Sequence, residues 1–130
     1  MTAPSASNKV ATAVDLSGIS ADTIEVTYNN SASVSRTISP NSAICDFYSS
    51  GMTSIALTLT NTNLDVVCEW SYTFKAGSNC SLSVTSPTNY TLVWKDGVPT
   101  FTSGLIYEIS FRRFKSLNKV IAYVAETQLS

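Results

Sequence analysis

Histidine is absent from this chain of 130 residues. Its absence excludes the Ser-His-Asp triad, the Cys-His pair and the general base that most often works near neutral pH. It also removes the commonest metal ligand, and no two of Cys45, Cys68 and Cys80 have the CxxC spacing of a zinc site. We therefore expect no metal and no cofactor, and we predict that the chain is not an enzyme.

Charge is also scarce. Only 13% of the residues are charged, against roughly 25% in an average soluble domain, and the net charge is -1. Such a chain has no electrostatic field to draw it to nucleic acid or to an anionic membrane, so we expect neither partner. Its one basic cluster, Arg112, Arg113 and Lys115, is interpreted as the solvated end of a strand rather than a phosphate site.

Surface polarity comes instead from 37 Ser and Thr residues and nine Asn. Thr favours strands, whereas Ser and Asn favour turns, and all three are poor formers of helix interiors. The composition therefore indicates an all-β protein, and the length suits one domain.

The N-terminal sequence lacks both the basic region and the apolar region of a signal peptide, and no apolar run approaches the length of a membrane span. We expect synthesis in the cytoplasm, a flexible arm over residues 1–10 and a single domain over residues 11–130. A Cys68–Cys80 disulfide could form if the strands that carry these residues are neighbours. The leftover third thiol argues against a secreted, oxidised framework.

Alternation of apolar and polar residues is clearest over residues 66–75, where Val66, Cys68, Trp70, Tyr72 and Phe74 share one face. We predict a half-buried antiparallel strand there, followed by a turn over residues 76–79. Similar but shorter patterns predict strands at 12–16, 23–28, 33–39, 54–60, 80–85, 90–95, 105–111 and 120–125, with 33–39 as the hairpin partner of 23–28. The fold expected is an antiparallel β-sandwich or jelly roll of about nine short strands, without internal repeats.

Two kinds of side chain are candidates for a functional site. Aromatic residues at inward positions are expected in the core, but Trp94 lies beside the turn at Asp96 and Gly97, where a ring could stack on a sugar. We therefore mark Trp94 and Asp96, with the turn at 86–89, as a candidate glycan contact. A weaker alternative is a small glycoside-processing enzyme that uses Glu69 or Glu108, although these acids and Glu25 are better explained as solvated charges on strand faces.

A specific order of residues marks the C-terminal end. Trp94 is followed by the Asp-Gly-Val-Pro turn at 96–99, Gly104, the Tyr-Glu-Ile-Ser-Phe segment at 107–111 and a closing strand at 120–124. This order, with a similar style over residues 61–81, resembles a C-terminal module of bacteriophage virion proteins, particularly head fibres, tail fibres and minor structural proteins. The resemblance covers about half of the chain and implies a β-sandwich that trimerises.

The first functional hypothesis is therefore a phage virion structural protein: a head fibre, a capsid decoration or a tail-fibre tip. It would assemble as a homo-oligomer, with a trimer favoured, and attach to other virion proteins through its N-terminal arm. Since the sequence shows no coiled coil, collagen-like repeat or β-helix shaft, we expect a compact module. The alternative is a carbohydrate-binding adhesin that recognises a glycan on the bacterial surface.

Overall fold

The computed structural model describes residues 24–28 and 31–127, with side chains for 31–127. The predicted arm at 1–10 and the predicted strand at 12–16 lie outside these residues. The prediction of an all-β chain is confirmed, with eight strands in the described part. They are β1 (Ile24–Tyr28), β2 (Ser33–Ile38), β3 (Ser42–Phe47), β4 (Met52–Leu59), β5 (Glu69–Thr85), β6 (Thr91–Trp94), β7 (Ile106–Phe114) and β8 (Lys119–Thr127).

The first five strands wind into a stack of the kind found in β-solenoids. β1, β3 and the first half of β5 pair in parallel in one sheet, called sheet B, while β2, β4 and the second half of β5 pair in parallel in the other, called sheet C. The chain alternates between the sheets, so β1 with β2, β3 with β4, and the two halves of β5 form three successive coils. The last coil is made by a single strand of 17 residues that passes from one sheet to the other.

The predicted antiparallel sandwich is therefore wrong, and so is the predicted hairpin between residues 23–28 and 33–39. β1 and β2 do not pair with each other; each pairs in parallel with a strand of the next coil. Alternation in the sequence shows that a strand has one buried face, but it does not show the direction of its neighbour. Among the described residues, antiparallel pairing is limited to β7, which pairs with β5 and β8.

Unequal coil lengths explain why the sequence shows no repeat. Between the first and second coils, paired residues are 19 positions apart in sheet B and 21 apart in sheet C. Between the second and third coils, they are 28 apart in sheet B and 27 apart in sheet C. The difference in sheet B comes mainly from a loop at residues 60–68 that precedes β5. The pairs used for this count are Ile24 with Ala43, Ser33 with Ser54, Ser42 with Trp70, and Ser54 with Ser81.

The segment at residues 76–79, predicted to be a turn, is instead the corner at which β5 changes sheets. Its pairing with β4 shifts there, from Met52 opposite Ala76 to Ser54 opposite Ser81. Gly51 and Gly77 lie against each other at this corner, and a Cβ on Gly77 would stand 2.7 Å from the carbonyl oxygen of Gly51. Only glycine allows the two backbones to approach so closely.

One hydrophobic core lies between the sheets, and most of its predicted members are confirmed. Trp70, Tyr72 and Phe74 are buried, as is Cys68, whereas Val66 is exposed because the strand begins only at Glu69. Sheet C contributes the aliphatic residues Ile38, Ile55, Leu57 and Leu59 to this core. Strand β7 contributes Tyr107, Ile109 and Phe111.

The C-terminal strands close the third coil on one side. β7 pairs with the free edge of β5, β8 pairs with β7, and β6 pairs in parallel with β8. A 3₁₀ turn (Lys115–Leu117) joins β7 to β8, and Asn118 completes the connection in the left-handed conformation, as expected for a turn. At the other end of the stack, the outer edges of β1 and β2 have no partner strand within the described residues.

Candidate functional site

A buried carboxylate joins the two sheets across the core. Asp46 on β3 has no exposed surface, and it accepts hydrogen bonds from Arg36 Nε at 2.9 Å and Nη2 at 2.6 Å. The Tyr72 hydroxyl on β5 donates to the same carboxylate at 2.6 Å. Burial raises the pKa of Tyr72 well above its ordinary value, and the neighbouring Asp46 adds to the effect. The cluster has no opening to a ligand at Asp46, so it ties sheet C to sheet B.

Sequence reasoning missed this cluster because residues 42–52 show no clear period. The available signal was a single acid, Asp46, between Cys45 and Phe47 in an otherwise apolar segment. A buried acid needs a cationic or hydrogen-bonding partner, but the sequence does not show which residue supplies it.

Arg113 is the second buried polar side chain, and it corrects the interpretation of the basic cluster as a solvated strand end. It is 7% exposed, and its guanidinium donates to Asn61 Oδ1 and to the backbone carbonyls of Thr62, Leu64 and Val66 at 2.8–2.9 Å. These four bonds fix the loop at 60–68. The other two members form surface ion pairs, Arg112 with Glu69 and Lys115 with Asp65.

The predicted glycan residues, Trp94 and Asp96, line one small cleft of about 180 Å³. Trp94 is only partly exposed, and its ring packs edge-on against Phe111 with the ring centroids 6.2 Å apart. Asp96 projects into solvent from the turn, where Gly97 has φ +88° as predicted for glycine. The structure thus brings the two residues together, but much of the Trp94 ring is occupied by the core.

A larger groove of about 710 Å³ lies at the ends of β4 and β5. It runs between the start of the loop at 60–68 and the turn at 86–89, which is the third element of the predicted glycan contact. Its lining is rich in hydroxyl and amide groups, and its single charged side chain, Lys115, is bound to Asp65 at 2.6 Å. The polar residues that line it are Thr58, Thr60, Asn61, Thr62, Asn63, Thr85, Ser86, Thr88, Asn89, Tyr90 and Asn118.

The acids considered for catalysis are spread along sheet B. Glu69 Oε2 accepts a hydrogen bond from Arg112 Nε at 2.7 Å, and Glu108 lies opposite Thr73, further along the same pair of strands. Glu25 is paired in register with Ile44. No group of three or more potential metal ligands occurs in the part of the chain that the structure describes.

The three cysteines are free thiols, so Cys68 and Cys80 do not pair in this structure. Burial raises the pKa of each thiol, which lowers the fraction of reactive thiolate at neutral pH. Cys68 lies in the core, and Cys80 packs against it.

Comparisons with known proteins give no relative: no family model, curated protein or solved structure matches this chain. Over residues 24–28 and 31–127, the structure has no helix that is both apolar enough and long enough to cross a membrane.

Proposed function

We propose that this chain is a compact structural module on the surface of a bacteriophage particle and that it assembles as a homo-oligomer, with a trimer favoured. The observation that carries the proposal is the difference between the two edges of sheet B. β7 and β8 cover its C-terminal edge, whereas the edge of β1 lacks a partner strand among the described residues. In sheet C, the outer edges of β2 and of the second half of β5 both lack partner strands among these residues. A cap on one edge of a sheet is typical of a terminal module, and it leaves the N-terminal side for attachment to other virion proteins.

The resemblance to phage fibre modules implied a β-sandwich, which the structure contradicts, so it supports the proposal only through the order of its sequence segments. Its most specific part, residues 92–124, corresponds to β6, the turn at 96–99, β7 and β8. These strands form the cap, so the resembling segment would be the outward end of the module. Nothing in this role requires catalysis, in keeping with the expectation from the sequence.

Exposed apolar side chains on the loop at 60–68 offer a contact for other copies of the chain. Leu64 is 65% exposed and Val67 is 73% exposed, although Arg113 holds the backbone beneath them in place. The Lys115–Asp65 ion pair links this loop to the 3₁₀ turn that carries the exposed Leu117. Exposed apolar clusters on ordered backbone are typical of protein contacts.

Light scattering on the full chain tests the assembly, and a mass of three times 13.9 kDa is expected. Val67→Glu should shift the mass toward that of the monomer, whereas Val98→Glu, at an exposed site on another loop, should not. A strict monomer at high concentration would contradict the oligomer, and absence of the chain from the proteome of purified particles would contradict the virion assignment.

A second candidate function is recognition of a bacterial surface glycan, and the groove at the ends of β4 and β5 favours it. Hydroxyl and amide groups dominate this groove, and its only charged side chain is paired. Such groups can donate to and accept from sugar hydroxyls. A glycan array with the wild type and Trp94→Ala tests this function. Retention of binding by Trp94→Ala would exclude the smaller cleft, loss would assign it, and no binding by either protein would remove the function.

A further inference from the structure

The outer surface of sheet C is a regular array of small hydroxyl side chains. Strand register places nine outward positions in three rows that each cross β2, β4 and β5. Eight of the nine are Ser or Thr, all of them exposed, and the ninth is Ala. We call this surface the hydroxyl face. Its first row is Ser33, Ser54 and Ser81, its second row is Ser35, Ala56 and Ser83, and its third row is Thr37, Thr58 and Thr85.

The spacing of the array follows from sheet geometry. Neighbouring strands lie about 4.8 Å apart, and outward residues along one strand repeat every ~6.6 Å. The last row consists only of threonine, and two of its members, Thr58 and Thr85, also line the groove. The hydroxyl face and the groove are therefore one continuous surface.

This surface is uncharged and has hydrogen-bonding capacity to spare. None of the nine positions is charged, and within the described residues no hydrogen bond engages the hydroxyls of Thr37, Thr58 or Thr85. A hydroxyl both donates and accepts. The chemistry suits a partner that is neutral and carries many hydroxyls, and it offers no positive charge to a carboxylate, sulfate or phosphate group.

The hydroxyl face alone is smaller than the surface that a second copy of the chain would bury. Three strands at about 4.8 Å and five residues at about 3.3 Å give an area on the order of 250 Å². A stable protein interface buries about 800 Å² on each partner. By contrast, one sugar unit of an extended glycan is about as long as the strand spacing, so a linear oligosaccharide could place one unit on each strand.

We propose that an uncharged, linear glycan lies across β2, β4 and β5 along the row of Thr37, Thr58 and Thr85, and continues into the groove. The inference rests on the second candidate function above and specifies its ligand class and its site. It assigns recognition to the hydroxyl face and the groove rather than to the cleft at Trp94 and Asp96.

The test uses the full chain and two neutral probes, cellohexaose and chitohexaose, with hexagalacturonate as an acidic probe of equal length. Binding is measured by isothermal titration for the wild type and for Thr58→Val combined with Thr85→Val, which removes two hydroxyls and keeps the branched shape. The matched control combines Thr102→Val with Thr127→Val, since both threonines are exposed and lie outside the hydroxyl face and the groove.

We expect at least one neutral probe to bind at least tenfold more tightly than hexagalacturonate. The Thr58/Thr85 variant should lose at least tenfold in affinity, and the control should stay within twofold of the wild type. Equal binding by the Thr58/Thr85 variant and the wild type overturns the proposal, as does an equal loss in the control. Exclusive binding of the acidic probe also overturns the proposal for the hydroxyl face, but it leaves the glycan-binding function standing. If no glycan binds, on the array or in titration, both the proposal and the glycan-binding function are removed.

Discussion

The outer faces of the two sheets are made of different residues, although both sheets pack on the same core. Sheet B carries Glu69, Arg112, Lys75 and Glu108 on its outer face, with an ion pair between the first two. The hydroxyl face of sheet C carries only Ser, Thr and Ala. The low charge of the chain is therefore not spread evenly: one face is charged in the manner of an ordinary protein surface, and the other is neutral over all nine positions.

This difference indicates that low charge is a local property of the outer face of sheet C. Exposed Ser and Thr keep a strand surface hydrated without a net field, and their small size keeps it flat. A surface that merely needed solubility would be better served by mixed charges. An uncharged ligand can approach the hydroxyl face without displacing a charged side chain.

The largest expected effect concerns the link that holds the two faces on one core. Asp46→Ala removes the acceptor of the Arg36 guanidinium and the Tyr72 hydroxyl and leaves a partly buried cation behind. Since the Arg36 side chain is 29% exposed, we expect a loss near the lower end of the range for buried pairs, about 3 kcal/mol in the free energy of unfolding. Urea denaturation measures it, with Asp96→Ala as an exposed control that should change stability by less than about 0.5 kcal/mol. Equal effects of the two changes would show that Asp46 is not buried as described.

A smaller loss is expected when the loop beside sheet B is released. Arg113→Met removes four hydrogen bonds to the loop at 60–68, and the freed carbonyls can partly recover by contact with water. We expect a loss of about 2 kcal/mol and faster amide hydrogen exchange within the loop. Arg112→Met breaks only a surface ion pair and should cost at most about 1 kcal/mol. Unchanged exchange in Arg113→Met would mean that the guanidinium does not order the loop.

The sequence predicted the buried faces of individual strands but not how the strands pair. Alternation located the buried face of β5 and β7, because the period of two is imposed by each strand alone. The direction of pairing depends on where residues 60–68 and 76–79 take the chain. Residues 76–79 are small and polar, a composition that suits a tight turn and a corner between two sheets equally well. The sequence therefore did not reveal that β5 continues through this segment, and the stack of coils was missed. The contact of the Trp94 ring with Phe111 could not be predicted, because an aromatic residue beside a turn looks the same in sequence whether its ring faces solvent or the core.

The buried tyrosine makes the stability of the core depend on pH. Because the pKa of Tyr72 is raised above its ordinary value of 10.0, its contribution is complete below pH 10 and is lost as the pH rises above that value. The slope should reach about 1.4 kcal/mol per pH unit for this one proton. Tyr72→Phe should make the free energy of unfolding, measured by urea denaturation, less dependent on pH above 10. A slope that is the same in the wild type and Tyr72→Phe would contradict the buried hydrogen bond to Asp46.

The smallest expected effect is on the hydroxyl face itself. Ser83→Lys places a charge at an outward position of β5 and should change the free energy of unfolding by no more than about 0.5 kcal/mol. Leu82→Lys, one residue away, directs the same charge toward the core and should cost more than about 2 kcal/mol. Thermal or urea unfolding compares the two variants. A reversed order would mean that the neutral face points inward.

Disulfide trapping tests the central claim most directly, because the neutral face exists only if β2 and β4 lie parallel in the stated register. In a background with the native cysteines replaced by serine, Thr37→Cys combined with Thr58→Cys places two thiols on directly paired residues, within the Cα separation that a disulfide spans. Ser33→Cys combined with Thr58→Cys is the control, since Ser33 pairs with Ser54 and lies about 13 Å from Thr58 along the strand. Mild oxidation followed by peptide mass spectrometry should show an intramolecular crosslink in the first protein and little in the second. A crosslink in the control but not in the Thr37/Thr58 protein would contradict the parallel coil stack and the hydroxyl face with it.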